Sequence, residues 1–420
     1  MLSKNTTFTI GTKFIIILAN FFLVVFSTRL WGSTGRGEIA LVLANVSIIT
    51  IFGNIFCGST VAYHTPRERR DFLLTISFAG AVLVSLAGAL IFSALFGSNY
   101  FLPLFLISLL ISLTTAISTY WLGKNNIRNY NLITILSPVC ILVALLVLYF
   151  LFNKKSLDTY FLAYYAGTGA ALCTGIAGLF ISEHFSVPEI KSESIKSIFT
   201  YGVNNEFNYL IQFLNYRLSY YFIARLLGLA ELGVFSIVIS ASEAVWIISR
   251  SMSVIHFSNV INSDDQLKNR QETIAFARQS LFISMFVLSF AILIPRSVYQ
   301  FIFGKEFLEV KKYIILLIPG IVSIAVSNLY GHYFAGKGKL KILRNKSLIG
   351  LAATLVLLPL LMNKYQLTGV CISLNISYIL SSFYLWFKFR KEGNQKNLLS
   401  NQNAETNPTF TLPNEAGEKT

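Results

Sequence analysis

Charge is what this chain has least of. Only 13% of its 420 residues are Asp, Glu, Lys or Arg, against about 25% in a soluble globular domain, and a soluble fold is excluded on that ground. Acidic residues are the scarcer sign, with 19 Asp and Glu against 34 Lys and Arg. The four cysteines, Cys57, Cys140, Cys173 and Cys371, sit singly in apolar segments. That pattern excludes a disulfide framework or thiolate metal centre and leaves free buried thiols. No P-loop, HExxH, GxSxG or Cys/His cluster occurs, so the chain lacks a nucleotide motor and the usual hydrolytic motifs. Long polar connectors are missing too: the longest, near 183–197 and 256–273, are too short for a domain.

What fills the space is apolar. Hydrophobic residues make up 54% of the chain and the mean hydropathy is +0.63. Runs of about 20 apolar residues predict an all-α polytopic membrane protein with about twelve transmembrane helices. They fall near 12–30, 38–62, 72–96, 101–122, 131–152, 159–182, 198–224, 231–255, 274–302, 312–335, 344–363 and 367–388. The net charge of +15 points to topology rather than to nucleic acid, because most Lys and Arg gather in alternate connectors. Such a bias places both termini in the cytoplasm of a multi-pass protein. The first span is long enough to cross, and Arg29-Leu30-Trp31 stands where a signal-peptide cleavage site would need small residues, so it is expected to be retained. After Lys391 the sequence turns to Asn, Gln, Thr, Glu and Pro, which predicts a disordered cytoplasmic tail over 392–420.

Three short motifs occur twice, in the same order. Arg29-Leu30-Trp31-Gly32 with Gly37 returns as Arg225-Leu226-Leu227-Gly228 with Gly233. Phe96-Gly97 with Tyr100 returns as Phe303-Gly304 with Phe307. Gly123-Lys124 with Arg128-Asn129 returns as Gly336-Lys337 with Arg344-Asn345. Their common register implies a duplicated unit: bundles of six helices over 1–190 and 191–391, running in the same direction around a central cavity. The paired glycines are expected to permit tight turns, and Arg29 and Arg225 to anchor helix ends at the interface.

Ionisable groups at membrane depth cost about 2.5–3.5 kcal/mol each, so they face cavities and pair. The segment 198–224 holds most of them. Asn204, Asn208, Gln212 and Asn215 fall within about 80° on one face, while Glu206 and Arg217 lie opposite, about 16 Å apart. The next segment adds Glu243 at mid-depth and Arg250 one heptad later; the first offers Asn20 and Lys13. Arg217, Lys13 and Arg250 are the candidate cations for a substrate, the amides Asn20, Asn204, Asn208, Gln212 and Asn215 its candidate polar lining, and Glu243 and Glu206 the candidate coupling carboxylates. The other reading, amides as interhelical glue and Glu243 as partner of Arg217 or Arg250, stays open. Asn328 and His332 share a helix face, with His332 read as a satisfied polar group.

The step from Arg29 to Gly37 is similar to the signature that follows the first helix of polysaccharide exporters in the multidrug/oligosaccharidyl-lipid/polysaccharide superfamily. Phe303-Gly304 with Phe307, and Gly123-Lys124 leading to Asn129, resemble that family too. The resemblance covers about residues 10–390 and is greatest to the Wzx-type repeat-unit flippases. It implies translocation of undecaprenyl-diphosphate-linked oligosaccharide repeat units, of O-antigen or capsule type, across the bacterial inner membrane by alternating access. It also implies membrane lipid, a polysaccharide polymerase and a chain-length regulator as partners, with no cofactor and no catalysis. Under this reading Arg217 meets the diphosphate, since guanidinium binds phosphate oxygens bidentately, and the amides with Tyr209 meet sugar hydroxyls. The alternatives are a multidrug or peptidoglycan-precursor exporter of the same superfamily. Against them, the first span lacks the acidic residue of the former and the arginine cluster of the latter. A membrane polysaccharide polymerase would need a large outer loop that is missing here.

Overall fold

The computed structural model describes residues 4–97, 100–182, 192–263 and 265–406. Residues 183–191 of the expected connector and 407–420 of the expected tail lie outside the described residues. Of the described residues 91% are helical, and none lies in a strand. Its helices are α1 (Lys4–Gly53), α2 (Gly58–His64), α3 (Arg70–Phe96), α4 (Phe101–Gly123), α5 (Ile127–Leu146), α6 (Asp158–Ser182), α7 (Ser192–Leu226), α8 (Leu229–Ile261), α9 (Gln266–Leu293), α10 (Arg296–Phe303), α11 (Val310–Gly336) and α12 (Leu340–Thr406). Nine helical stretches among the described residues are long and apolar enough to cross a membrane. Two of them, Gly11–His64 and Leu340–Gly393, are 54 residues long, about twice what a bilayer needs. Within α1 the dihedrals turn non-helical at Gly32, and within α12 at Gln366. α7 is too polar to count among the nine.

The repeated motifs fold alike. Gly32 and Gly228 both have positive φ, 65° and 98°, a region open to glycine without a Cβ penalty, and each marks the step from one helical arm to the next. Tyr100 N–H donates to the Gly97 carbonyl and Phe307 N–H to the Gly304 carbonyl. In the third pair, Asn126 N–H reaches the Trp121 carbonyl and Lys339 N–H the Phe334 carbonyl; both close a helix C-terminus around a left-handed residue, Asn125 or Gly338. Following the chain through its antiparallel helices puts Gly32, Gly97, Gly228, Gly304 and Gln366 at one end of the bundle. Residues 54–69, 124–126, 262–263 and 337–339 lie at the other. We call these ends the Gly32 face and the Gly338 face.

Gly37 and Gly233 do something other than turn. They lie inside helices, and a Cβ on either would run into the other arm's backbone: at Gly37 into the Leu229 carbonyl, at Gly233 into the Ser33 carbonyl. The two glycines therefore let the second arm of α1 touch α8 backbone to backbone. The same end is closed by Arg29, whose Nε donates to the Ile302 carbonyl at 3.0 Å, and by Glu306, whose Oε2 accepts from Ser33 N–H at 2.5 Å. That carboxylate satisfies a helix N-terminus freed by the break at Gly32. At the Gly338 face Gly202 of α7 meets the Ile55 backbone, and Tyr63 stacks on Tyr201 with centroids 4.3 Å apart.

Other boundaries differ from expectation for local reasons. The 38–62 span stops at Gly53 and resumes as the short α2. The 274–302 span stops before Pro295, beyond which α10 buries Tyr299 and Phe303. The 256–273 connector shrinks, because α8 runs to Ile261 and Asp265 caps α9 through Lys268 N–H. α12 continues to Thr406, past the expected boundary at 391; there Glu392 pairs with Lys337 and Lys339 at 3.3 and 2.9 Å. Apolar clusters of α1–α6 residues surround Leu104 and Ile107 and, with Ile198 of α7, Ile117 and Trp121; others drawn mainly from α7–α12 surround Trp246 and Phe235 and, toward the Gly338 face, Tyr333 and Phe334.

Gly37→Ala and Gly233→Ala are each expected to lower the melting midpoint of the detergent-solubilised protein, because overpacking against backbone costs about 1–3 kcal/mol. Gly169→Ala, where a Cβ meets nothing within 4 Å, serves as the control and should leave the midpoint unchanged. A Gly37→Ala midpoint equal to that of Gly169→Ala would contradict the close approach.

Candidate functional site

The interior charges meet where α7, α8 and the second arm of α1 come together. Packing positions them. Tyr216 of α7, Trp246 of α8 and Tyr378 of α12 form an aromatic group with centroids 5.4–5.9 Å apart, and Trp246 Nε1 donates to the Ile321 carbonyl of α11 at 2.9 Å. Arg217 follows Tyr216 directly, and Glu243 lies almost one turn before Trp246, so the anchored rings aim both at the same space. There Arg217 Nη2 and Glu243 Oε1 are 2.6 Å apart, with side-chain exposures of 21% and 36%. Arg217 Nη1 also donates to the Tyr220 hydroxyl, and its guanidinium sits over that ring, 4.8 Å from the centroid. The ion pair is half open, so it gains far less than a dry pair and loses less on opening.

A second guanidinium lies beside this pair. Arg36 is only 7% exposed, and its hydrogen-bond acceptors are neutral hydroxyls: Ser236 at 3.0 Å from Nε and Ser27 at 3.3 Å from Nη1. Its titratable neighbours include Tyr160, Tyr220, Arg217 and Glu243. Two interior arginines thus lie in the neighbourhood of a single carboxylate, which pairs with Arg217 alone. Sequence reasoning did not single out Arg36, which follows four residues after Gly32 inside the glycine motif. Its place between Gly32 and Gly37, on a face the glycines press against α8, is the signal that points inward.

The remaining candidates do not gather at one place. Glu206 is 6% exposed and bonded to Asn205 Nδ2 at 2.9 Å, far from Arg217 along α7. Asn215 is buried between α7 and both arms of α12, accepting from the Ser377 hydroxyl at 3.3 Å and packing on Gly350, so it acts as interhelical glue. Asn208 donates to the Asn204 carbonyl one turn back, and Gln212 is half-buried. Asn204 lines a cleft of about 520 Å³ near the Gly338 face with Tyr63, Lys196 and Tyr201. Lys13 is exposed, over the Tyr130 ring at 5.9 Å; Asn20, Arg250 and Tyr209 are exposed too. His332 Nδ1 meets the Asn328 carbonyl at 2.9 Å. No group of three or more His, Cys, Asp or Glu suited to a metal occurs among the described residues.

An ion pair and an extra guanidinium thus lie between the packed helices of an all-helical protein with several candidate membrane spans. Comparison with solved structures finds this fold in membrane transporters. The fold is similar to an inward-facing multidrug resistance MATE family transporter of the MOP superfamily (TM-score 0.70, 11% identity, 92% of this chain and 96% of the other). It is also similar to the lipid II flippase MurJ in an inward closed conformation (TM-score 0.67, 13% identity, 91% and 87%). A third, the MATE multidrug transporter DinF-BH, matches with TM-score 0.65 and 16% identity over 93% and 97%. At these identities the likeness is one of fold: that of MOP superfamily transporters. No family model matches the chain, and no curated relative matches its sequence.

Removing one member of the Arg217–Glu243 pair is expected to destabilise more than removing both. In a thermal double-mutant cycle, Arg217→Met and Glu243→Met should show a coupling of about 0.5–3 kcal/mol, with the double variant recovering part of the loss. Strict additivity would mean that the pair contributes nothing.

Proposed function

We propose that this protein is a flippase that moves undecaprenyl-diphosphate-linked oligosaccharide repeat units across the bacterial inner membrane by alternating access. Counting each kinked 54-residue stretch as two crossings and α7 as one more gives twelve. We read 1–190 and 191–391 as two parallel six-helix lobes facing a common cavity, and the Gly338 face, rich in Lys and Arg, as cytoplasmic. The repeated local geometry of the three motif pairs supports the two-lobe reading.

The observation that carries the proposal is the cationic surplus at Arg36, Arg217 and Glu243. A diphosphate linked to a sugar and an isoprenoid chain is too polar to cross hydrocarbon, while its lipid tail need not leave it. A carrier for it needs an interior cation free to exchange partners. Here Glu243 holds Arg217 in the resting state, and the diphosphate displaces the carboxylate, a two-state exchange biased by substrate. The likeness to a lipid II flippase supports a lipid-linked substrate. The absence of any acidic residue in the first arm of α1 favours this over export of cationic drugs. Glu206 and Glu243 remain the proposed coupling groups, and Lys13, Asn20, Asn204, Asn208 and Gln212 the proposed polar lining on the way to the centre. A polysaccharide polymerase and a chain-length regulator are the partners such a pathway would supply.

Arg217→Ala should abolish surface glycan and leave lipid-linked repeat units on the cytoplasmic leaflet, at normal membrane abundance. Arg217→Lys should keep part of the activity, because the charge survives and the bidentate geometry does not. Normal surface glycan in Arg217→Ala would overturn the role. Reporter fusions after Lys124 and Lys341 should read cytoplasmic and one within 153–158 periplasmic; a periplasmic signal after Lys341 would break the twelve-span topology.

A further inference from the structure

The Gly32 face carries a cleft of about 290 Å³, lined by Arg29 of α1 and by Ser297, Gln300, Phe301 and Lys305 in and just beyond α10. α10 joins the end of one candidate span, Gln266–Leu293, to the start of another, Lys305–Gly336. The cleft therefore lies where spans end, at the level of lipid phosphates. Packing holds it there. Tyr299 and Phe303 are buried on one face of α10, and the Tyr299 hydroxyl donates to the Ala291 carbonyl in the last turn of α9 at 2.9 Å. Ser297 and Phe301 fall on the opposite face. Arg29 reaches across from α1 to form the other wall. Its Nε donates to the Ile302 carbonyl at 3.0 Å, and its guanidinium is 5.9 Å from the Phe301 ring centroid.

The lining holds two cations and no carboxylate. Neither Arg29 nor Lys305 forms an ion pair among the described residues, and the acid next to Lys305, Glu306, is turned to Ser33 N–H at 2.5 Å. The bond Arg29 makes uses Nε, which leaves both Nη groups for phosphate oxygens. Topology does not account for this pair, since the basic connectors that set it lie at the Gly338 face. Beside the cleft the surface is apolar. Phe301 is 78% exposed and Leu293 75%, and the exposed Phe282, Phe286 and Phe290 share one side of α9 with Leu293. A phosphate held in the cleft thus has an apolar path for its chains leading into the membrane.

We infer that the cleft between Arg29 and Lys305 binds the headgroup of an anionic phospholipid in the leaflet on the Gly32 side. The phosphodiester lies between guanidinium and ammonium, Ser297 and Gln300 meet headgroup hydroxyls, and the acyl chains run over Phe301 and Leu293 onto α9. The charge of the lining selects the class. A phosphatidylethanolamine headgroup brings an ammonium that finds two cations and no carboxylate, whereas phosphatidylglycerol brings hydroxyls. The volume of the cleft has room for a phosphate and a glycerol and not for a glycan of several sugars. A bound phosphate also ties the first arm of α1 to the α10 segment, adding to the bonds that close this face. The site rests on the membrane spans and holds whatever the carrier moves.

The test is native mass spectrometry of the detergent-purified full chain titrated with phosphatidylglycerol or phosphatidylethanolamine. Phosphatidylglycerol should bind more tightly, and Lys305→Gln should weaken it about ten-fold, the loss expected for one charge-assisted contact. Lys305 is exposed, so its substitution leaves the packing intact, and Lys305→Arg should retain most of the binding. Lys364→Gln removes another exposed cation of the same face, two residues before the break at Gln366, and should change nothing. Phosphatidylglycerol should raise the melting midpoint of the unmodified chain and not that of Lys305→Gln. Inorganic phosphate should compete only weakly. Unchanged binding in Lys305→Gln, an equal loss in Lys364→Gln, or equal affinity for the two phospholipids would each overturn the inference. Tighter binding of farnesyl diphosphate than of phosphatidylglycerol, lost in Lys305→Gln, would overturn the choice of a phospholipid.

Discussion

The arrangement depends on the price of charge in an apolar interior. Arg217 and Glu243 pair where three helices converge, and Arg36 lies nearby bonded only to neutral hydroxyls. Everything nearby accommodates that imbalance. Tyr220 and the hydroxyls of Ser27 and Ser236 supply neutral partners, and the Tyr216–Trp246–Tyr378 rings hold the helices that carry the ion pair. Gly37 and Gly233 bring α1 and α8 close enough for Arg36 to reach Ser236 across the contact. A dry, neutral interior would be more stable and would have nothing to offer an anion.

Much of the fold was legible because the sequence repeats itself. Gly32 and Gly228, Gly97 and Gly304, and the Gly123 and Gly336 steps were readable as paired joints, and each pair adopts the same local backbone. Gly37 and Gly233 were misread as turn residues, since a sequence shows where a side chain is missing and does not show which neighbour needs the space. The Arg217–Glu243 contact was among the partners foreseen, because a deep arginine requires an anion and few exist. Asn215 was readable as either cavity lining or glue, and only its packing on Gly350 and Ser377 decided for glue. Arg36 was overlooked because it lies within a turn or two of the break at Gly32, where the basic-residue bias that sets topology hides a cation that points inward.

The interior offers cations at more than one depth and acids at few. α8 carries Glu243 and, about 10 Å on, Arg250. The Gly32 face is fastened by Arg29 and Glu306, and the Gly338 face by Gly202 on Ile55 and by Tyr63 on Tyr201. Release of one set while the other holds would open the interior to one side at a time, which is what alternating access requires.

The central claim is movement of a diphosphate-linked glycan from one leaflet to the other, and reconstitution tests it most directly. Purified protein in liposomes would be given a fluorescently labelled undecaprenyl-diphosphate oligosaccharide, and the labelled fraction accessible to an impermeant quencher would be followed with time. The account predicts that protein-containing liposomes equilibrate the label between leaflets while protein-free liposomes leave it where it was placed. Equal rates in the two preparations would contradict it.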